Sequence, residues 1–486
     1  MKRMGFRLAR TVAALLLSVG IVADPPAQAD YIEIRLGSSS FWIEGTHRVL
    51  PGRIVSVRHA GLKEQLYLKL RDPSETVYVD RIVKAPLTSV VLNKKLREAE
   101  SATLDECFDI ALWIAARGQT KHFPRLLEIM QTKSPDDPRV QKLAQFWQRI
   151  KQPLPEKPGQ REHIAKVVGS GMNYKTSDHY LLAFDPPGEK LADKRLQLME
   201  RVYESFYLWF YLKGRELHPP DKKLMVVLYG DFDNFMLMVR RTDPELVHAA
   251  GFWSRVTNVA VYYAQDTSEF GKEVRKILKE LRSRADEIKR LRQMGHGDFI
   301  RFVNTIELLA DISFEGQEIE VVTHEGCHQL AGNSGLLPRQ VAAPIWVHEG
   351  LASFFESPQD ASWAGIGSVN ERRITSYRRL KDDAEHCNLE FIASDKIFTR
   401  AANVATKDLA YGPAWALTHF LANEKFEKFM EYYDALSRLP ADMPIPEDKL
   451  LAVFKSVFGN DLSNLEQEWH FYMSGLKTLE EELEGQ

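Results

Sequence analysis

Apolar and polar residues alternate along Tyr31-Ile32-Glu33-Ile34-Arg35-Leu36, Leu66-Tyr67-Leu68-Lys69-Leu70 and Val77-Tyr78-Val79, the period of half-buried strands. Turn residues such as Pro51-Gly52 and Asp72-Pro73-Ser74 separate the runs, so residues 30–90 are predicted to form a small β-domain. From about Leu92 to Lys151 the period becomes helical. Leu104, Cys107, Ile110, Ala111 and Ile114 share one stripe, Leu126, Leu127, Ile129 and Met130 another, and a third helix is expected with Pro138 in its first turn. Residues 91–151 thus read as a helical spacer, similar to a single tetratricopeptide-like unit. Three prolines between Gln152 and Gln160 predict an extended linker and a domain boundary over 152–160. In residues 161–486, strand-like Tyr180 to Phe184, Leu224 to Tyr229 and Asn258 to Ala264 alternate with helical patterns near 192–213 and 268–294. That alternation predicts an α/β lobe, and the residues after about Gly316 add a helical lobe. The fold class expected is multidomain α+β.

The first 29 residues change the picture of where the chain resides. A basic stretch (Lys2, Arg3, Arg7, Arg10) precedes a 13-residue apolar run, Thr11 to Ala23, and Ala27-Gln28-Ala29 follows, the layout of a signal peptide cleaved after Ala29. A spanning helix needs about 20 apolar residues, so no stable membrane span is expected after cleavage. The expected location is periplasmic or extracellular. Removing this segment, with four basic residues and one acidic one, takes the formal charge from −3 to −6. A nucleic-acid partner calls for a basic excess, which this chain lacks. Cys107, Cys327 and Cys387 are too few for a disulfide framework; either one bridge, Cys327 to Cys387, or buried free thiols fit the composition.

The candidate chemistry lies in His324-Glu325-Gly326-Cys327-His328. Residues four apart on a helix lie within about 40° of each other, so both imidazoles reach one ion. Neutral imidazole is a good zinc ligand, and Glu325 is placed to take a proton from a water activated at that ion. The flanks are uncharged, as a buried helix requires. A second helical pattern, Trp346 to Glu356, opens after Pro344 and brings Glu349 and His348 as further donors.

With these motifs the sequence resembles the gluzincins, thermolysin-like zinc peptidases in which a second helix donates a glutamate about twenty residues after HExxH. Here Glu349 lies 21 residues after His328. Over roughly Asp178 to Phe420 it also resembles an exported bacterial family, domain of unknown function 1570, through His324 to His328, Asn333-Ser334-Gly335 and Trp346 to Ala352. The resemblance implies a gluzincin-like lobe, one Zn2+ held by His324, His328 and Glu349, and Glu325 as general base. It favours Glu349 over His348, since neighbours on a helix point about 100° apart. Ser353 departs from the pattern: thermolysin-like enzymes often carry there an aspartate that orients a histidine. Glu356, seven residues after Glu349, is either a support for the site or a surface carboxylate. Cys327 reads as a small buried thiol and His419 as a polar-side or core histidine.

Hydrolysis through a tetrahedral intermediate needs a donor to the developing oxyanion, and Tyr411, at the head of an apolar helix, is the candidate by likeness to several gluzincins. Asn258 to Ala264 is expected to be the edge strand along which extended substrate pairs. The expected partner is a peptide or protein substrate, and the N-terminal β and helical modules offer room for a protein partner. A Gly-x-Met-x-Asn aminopeptidase signature is absent, which favours an endopeptidase. The alternative is a non-catalytic binding or scaffolding protein that keeps a structural metal site on a peptidase fold.

Overall fold

The strand-forming segments close on themselves. In the computed structural model, which describes residues 29–60, 65–84, 88–242, 244–291 and 295–485, five strands form a closed barrel. They are β1 (Ala29–Leu36), β2 (Ser39–Leu50), β3 (Ile54–Arg58), β4 (Leu66–Leu70) and β5 (Val77–Lys84). Alternation turns Ile32, Ile34, Val55, Val57, Leu68 and Val79 inward, where Leu308 from a distant helix joins them. The segment read as a signal peptide lies, except for Ala29, outside the described residues.

Four helices come after the barrel: Thr88–Ala99, Leu104–Ala116, Phe123–Lys133 and Pro138–Ile150. Asp137 caps the last of these through the N–H of Arg139, and Pro138 occupies the first turn, where it forfeits no hydrogen bond. Leu96, Ile114, Met130 and Ile150 share one buried core with Phe206, Trp346 and Trp415, so the helical spacer is fused to the C-terminal part of the chain. The proline-rich stretch is pinned as well: Leu154 is buried and donates its N–H to Asp178, and the Pro155 carbonyl accepts from Lys223.

A second sheet is ordered β6-β7-β8-β10-β9, with β6 at Asn173–Thr176, β7 at Tyr180–Phe184, β8 at Leu224–Tyr229, β9 at Gly251–Ser254 and β10 at Val259–Tyr263. The three central strands are parallel, and β6 and β9 are antiparallel edges. Central strands covered on both faces need apolar side chains on both. Leu182, Val226 and Ala260 belong to the core built with helix Glu189–Leu212, whereas Leu181, Val227 and Val261 pack with Ile164, Phe235 and Val239.

The strand expected at the sheet's edge lies inside it. Asn258 to Ala264 is not an edge, because β10 is hydrogen-bonded to β8 on one side and β9 on the other. Asn258 adopts φ +56°, and its N–H donates to the Ser254 carbonyl, folding the chain back so that short β9 becomes the open edge.

Two helices position the candidate chemistry. Gly297–Asn333 runs for 37 residues, about 55 Å at 1.5 Å per residue. Its first half carries Leu308, Leu309 and Ile312 onto the barrel, and its second half crosses the sheet and meets helix Ile345–Phe355. Immediately after that shorter helix, the hairpin of β11 (Pro358–Gln359) and β12 (Ser362–Trp363) reaches back to the barrel. Asp360 at its tip accepts from the Glu44 N–H and lies 2.9 Å from His59 Nε2. Among the described residues no helix is long and apolar enough to cross a membrane, and Cys107, Cys327 and Cys387 are free and buried.

Candidate metal centre

The long helix and helix Ile345–Phe355 cross where their motifs face each other. His324 Nε2 lies 3.1 Å from Glu349 Oε2 and 3.2 Å from His328 Nε2, and His328 Nε2 lies 3.7 Å from Glu349 Oε1. Ligands at about 2.0–2.2 Å from a tetrahedral zinc stand about 3.3 Å apart, so these spacings and the two-nitrogen, one-carboxylate donor set fit that ion. Among the described residues this is the cluster of at least three His, Cys, Asp or Glu side chains suited to a metal.

Gly350 lets a third helix pack closely against Ile345–Phe355. A Cβ there would stand 2.3 Å from Thr418 Oγ1 and 2.6 Å from the Ala414 carbonyl, both on helix Val404–Glu424, which also carries Tyr411. Glycine in a helix ordinarily costs about 0.5–1 kcal/mol relative to alanine. Overpacking here outweighs that: Gly350→Ala is expected to destabilise the fold by about 1–3 kcal/mol and to weaken metal binding. Denaturant unfolding checks this, and a stabilised variant would contradict the close packing. The helix is also capped from outside, since Asp395 accepts from the N–H groups of Ile345 and Trp346 at 2.8 and 2.9 Å.

Glu356 resolves the departure at Ser353. Its carboxylate is fully buried, with Oε2 2.5 Å from His324 Nδ1, while Oε1 accepts from Asn370 Nδ2 at 3.1 Å and Arg373 Nε at 2.5 Å. An acceptor at Nδ1 fixes the His324 tautomer and leaves Nε2 as the ligand atom. Ser353 is buried, and its hydroxyl makes no hydrogen bond in the structure. The orienting carboxylate is thus supplied one further turn along the same helix face.

Burial would lower the proton affinity of His324, but the carboxylates of Glu349 and Glu356 outweigh it and hold the ring well above the usual histidine range. Burial would raise Glu349, and the nearby His328 and His324 instead hold it well below the carboxylate range. A metal at His324 therefore competes with a proton that the two carboxylates favour. Raised in the fold, this histidine stabilises the metal-free chain fully below its unfolded value, about 6.5, and the benefit fades as pH rises through the folded value. Zinc binding at pH 7 is expected to release about one proton and to tighten as pH rises from 6 to 8. Titration in weak buffer with a pH indicator measures it; a pH-independent affinity would contradict the assignment.

Glu325 projects from the same turn, is buried, and accepts from the main-chain N–H of Trp253 in edge strand β9. Burial raises its carboxyl above the usual value, tempered by His324 and His328. The Tyr411 hydroxyl donates to Glu349, whose charge, together with burial, raises the tyrosine strongly. The predicted donor therefore stands beside the predicted ligands.

The other candidates lie elsewhere. His348 is centred 6.1 Å from His328, and burial and His328 lower it to about 4. Cys327 is wholly buried and turns its thiol to the Leu351 carbonyl at 3.8 Å. His419 is satisfied in the core by the Gly367 carbonyl at 3.1 Å and the Tyr472 hydroxyl at 2.8 Å.

Asn333-Ser334-Gly335 holds the edge strand rather than a metal. Asn333 and Asn258 exchange two 2.8 Å hydrogen bonds, and Asn258 Oδ1 also accepts from the Trp253 indole at 3.1 Å. Gly332 lies under that indole, where a Cβ would come within 2.5 Å of the ring. These contacts seat β9 flush against the second half of the long helix.

Residues 318–442 match a family described as "Protein of unknown function (DUF1570)". That stretch contains the end of the long helix, helix Ile345–Phe355, Glu356, Arg373 and Tyr411. No curated protein and no solved structure matches the chain. The part of the chain that carries the site is the part that resembles this family.

Proposed function

We propose that this chain is an exported zinc-dependent peptidase of gluzincin type, acting as an endopeptidase on peptide or protein substrates. The observation that carries the reading is that Glu325, which ligates nothing, stands beside an open three-donor site. A structural zinc site has a closed ligand set and gains nothing from a neighbouring base. His324, His328 and Glu349 would hold the ion, and when bound it would supply Lewis-acid polarisation of a carbonyl and acidify a water.

The chain's own residues do the rest. Glu325, raised by burial, takes the proton of the attacking water and passes it to the departing amine. Tyr411 donates its hydroxyl to the carbonyl oxygen as charge builds there. The open edge of β9 offers main-chain groups to an extended peptide, and its Trp253 N–H already touches the base. Export is the reading of the signal-like Met1 to Ala29.

Incubation of the zinc-loaded chain with a peptide library, read by mass spectrometry, tests this. Internal cleavage that stops with a chelator and returns on adding zinc is expected. A chain that binds zinc stoichiometrically yet cleaves nothing across the library supports a scaffold instead.

A further inference from the structure

One buried guanidinium touches Glu356, Glu320 and Tyr411 beside the site. Arg373, in helix Glu371–Leu380, is 5% exposed and donates Nε–H to Glu356 Oε1 at 2.5 Å. Its Nη2 lies 3.6 Å from Glu320 Oε1, one helical turn before His324. The guanidinium sits over the ring of Tyr411, 4.7 Å from its centroid. Asn370, which also donates to Glu356, caps Arg373 itself by accepting its N–H.

From this geometry we propose that Arg373 is a positioning residue for the metal centre. It fixes the His324 ring through Glu356 and the Tyr411 ring by stacking; the inference rests on the metal-site reading above. With Oε1 of Glu356 committed to Arg373 and Asn370, Oε2 remains as the acceptor for His324 Nδ1. The same guanidinium, tied to Glu320 on the long helix, gives Tyr411 a flat surface to rest on. A planar fork with donors on its edge and a face for an aromatic ring does all three jobs, whereas an ammonium supplies charge alone. Arg373 thereby links the Glu356 partner of His324 to the ring of Tyr411 on helix Val404–Glu424, beside the contacts that Glu349 makes with both.

The test uses Co2+, whose visible absorption reports ligand geometry, on the full chain with circular dichroism as the check on folding. Arg373→Met is expected to bind Co2+ about 10–100-fold more weakly than wild type, with an altered spectrum. Arg373→Lys, which keeps a cation beside Glu356, is expected to fall between the two. Should Arg373→Met fail to fold, the lysine variant carries the test. A folded Arg373 variant with wild-type affinity and spectrum overturns the inference. A wild-type chain that takes up no Co2+ overturns the metal-site reading and this inference together, a different result from equal affinities.

Discussion

Glu325→Gln is expected to lower peptide hydrolysis by about 10²–10⁴-fold while zinc stays bound, because a positioned general base contributes about that much. Glutamine has nearly the shape of glutamate and can still accept from the Trp253 N–H through its amide oxygen. It cannot take a proton from water. Glu325 ligates nothing, so the ligand set of His324, His328 and Glu349 survives the change. A buried carboxylate is also costly in the interior, so the variant is expected to unfold at the wild-type temperature or slightly above it. Activity, metal content and thermal unfolding measured on one preparation separate these effects. Loss of zinc along with activity would move Glu325 from base to ligand.

Glu349→Ala is expected to weaken zinc binding by about 10²–10⁴-fold. Binding free energies of about 10–16 kcal/mol for zinc held by peptide ligands, shared over three or four donors, assign roughly that much to each. Glu349 is also the negative partner of His324 and His328 in the metal-free site, so the two imidazoles lose their shared acceptor. Competition against a chromophoric chelator gives the affinity. A change of less than about tenfold would mean that His348 or another group replaces Glu349.

The features legible in the sequence are those whose signal is local. The His324 and His328 pair is of this kind, set by one helical period; the choice of Glu349 over His348 comes from the gluzincin resemblance, and the fold brings all three together. Barrel strands β1, β4 and β5 and the sheet strands β7, β8 and β10 are marked by alternation and apolar runs, whereas β2 and β3 are not among the strands read from the sequence. The open edge was hidden because Gly251–Ser254 is only four residues long, mixes Trp253 with Ser254, and becomes an edge through the Asn258 turn. Glu356 had a faint signal, its seven-residue spacing from Glu349 on one helix face, but only packing shows that the face is buried. Arg373 and Asp395 had none. Each reaches the site from another helix or turn, and no periodicity encodes a contact across tens of residues. The long helix likewise extends back to Gly297, because its first half is patterned to cover the barrel as well as the sheet.

Three contacts make the barrel part of the same frame. The hairpin that binds Asp360 to Glu44 and His59 begins two residues after Glu356, and Thr76 Oγ1 donates to Asp298 at 2.7 Å near the start of the long helix. The helices that carry the donors are therefore braced by a domain that contributes no ligand.

Zinc K-edge absorption on the purified, zinc-loaded chain reads the ligand set of the ion itself. A site of His324, His328 and Glu349 predicts two imidazole nitrogens at about 2.0–2.1 Å and carboxylate or water oxygens at about 2.0–2.2 Å, with no sulfur. A sulfur shell near 2.3 Å, which would bring Cys327 into the ligand set, or one imidazole or none, would contradict it.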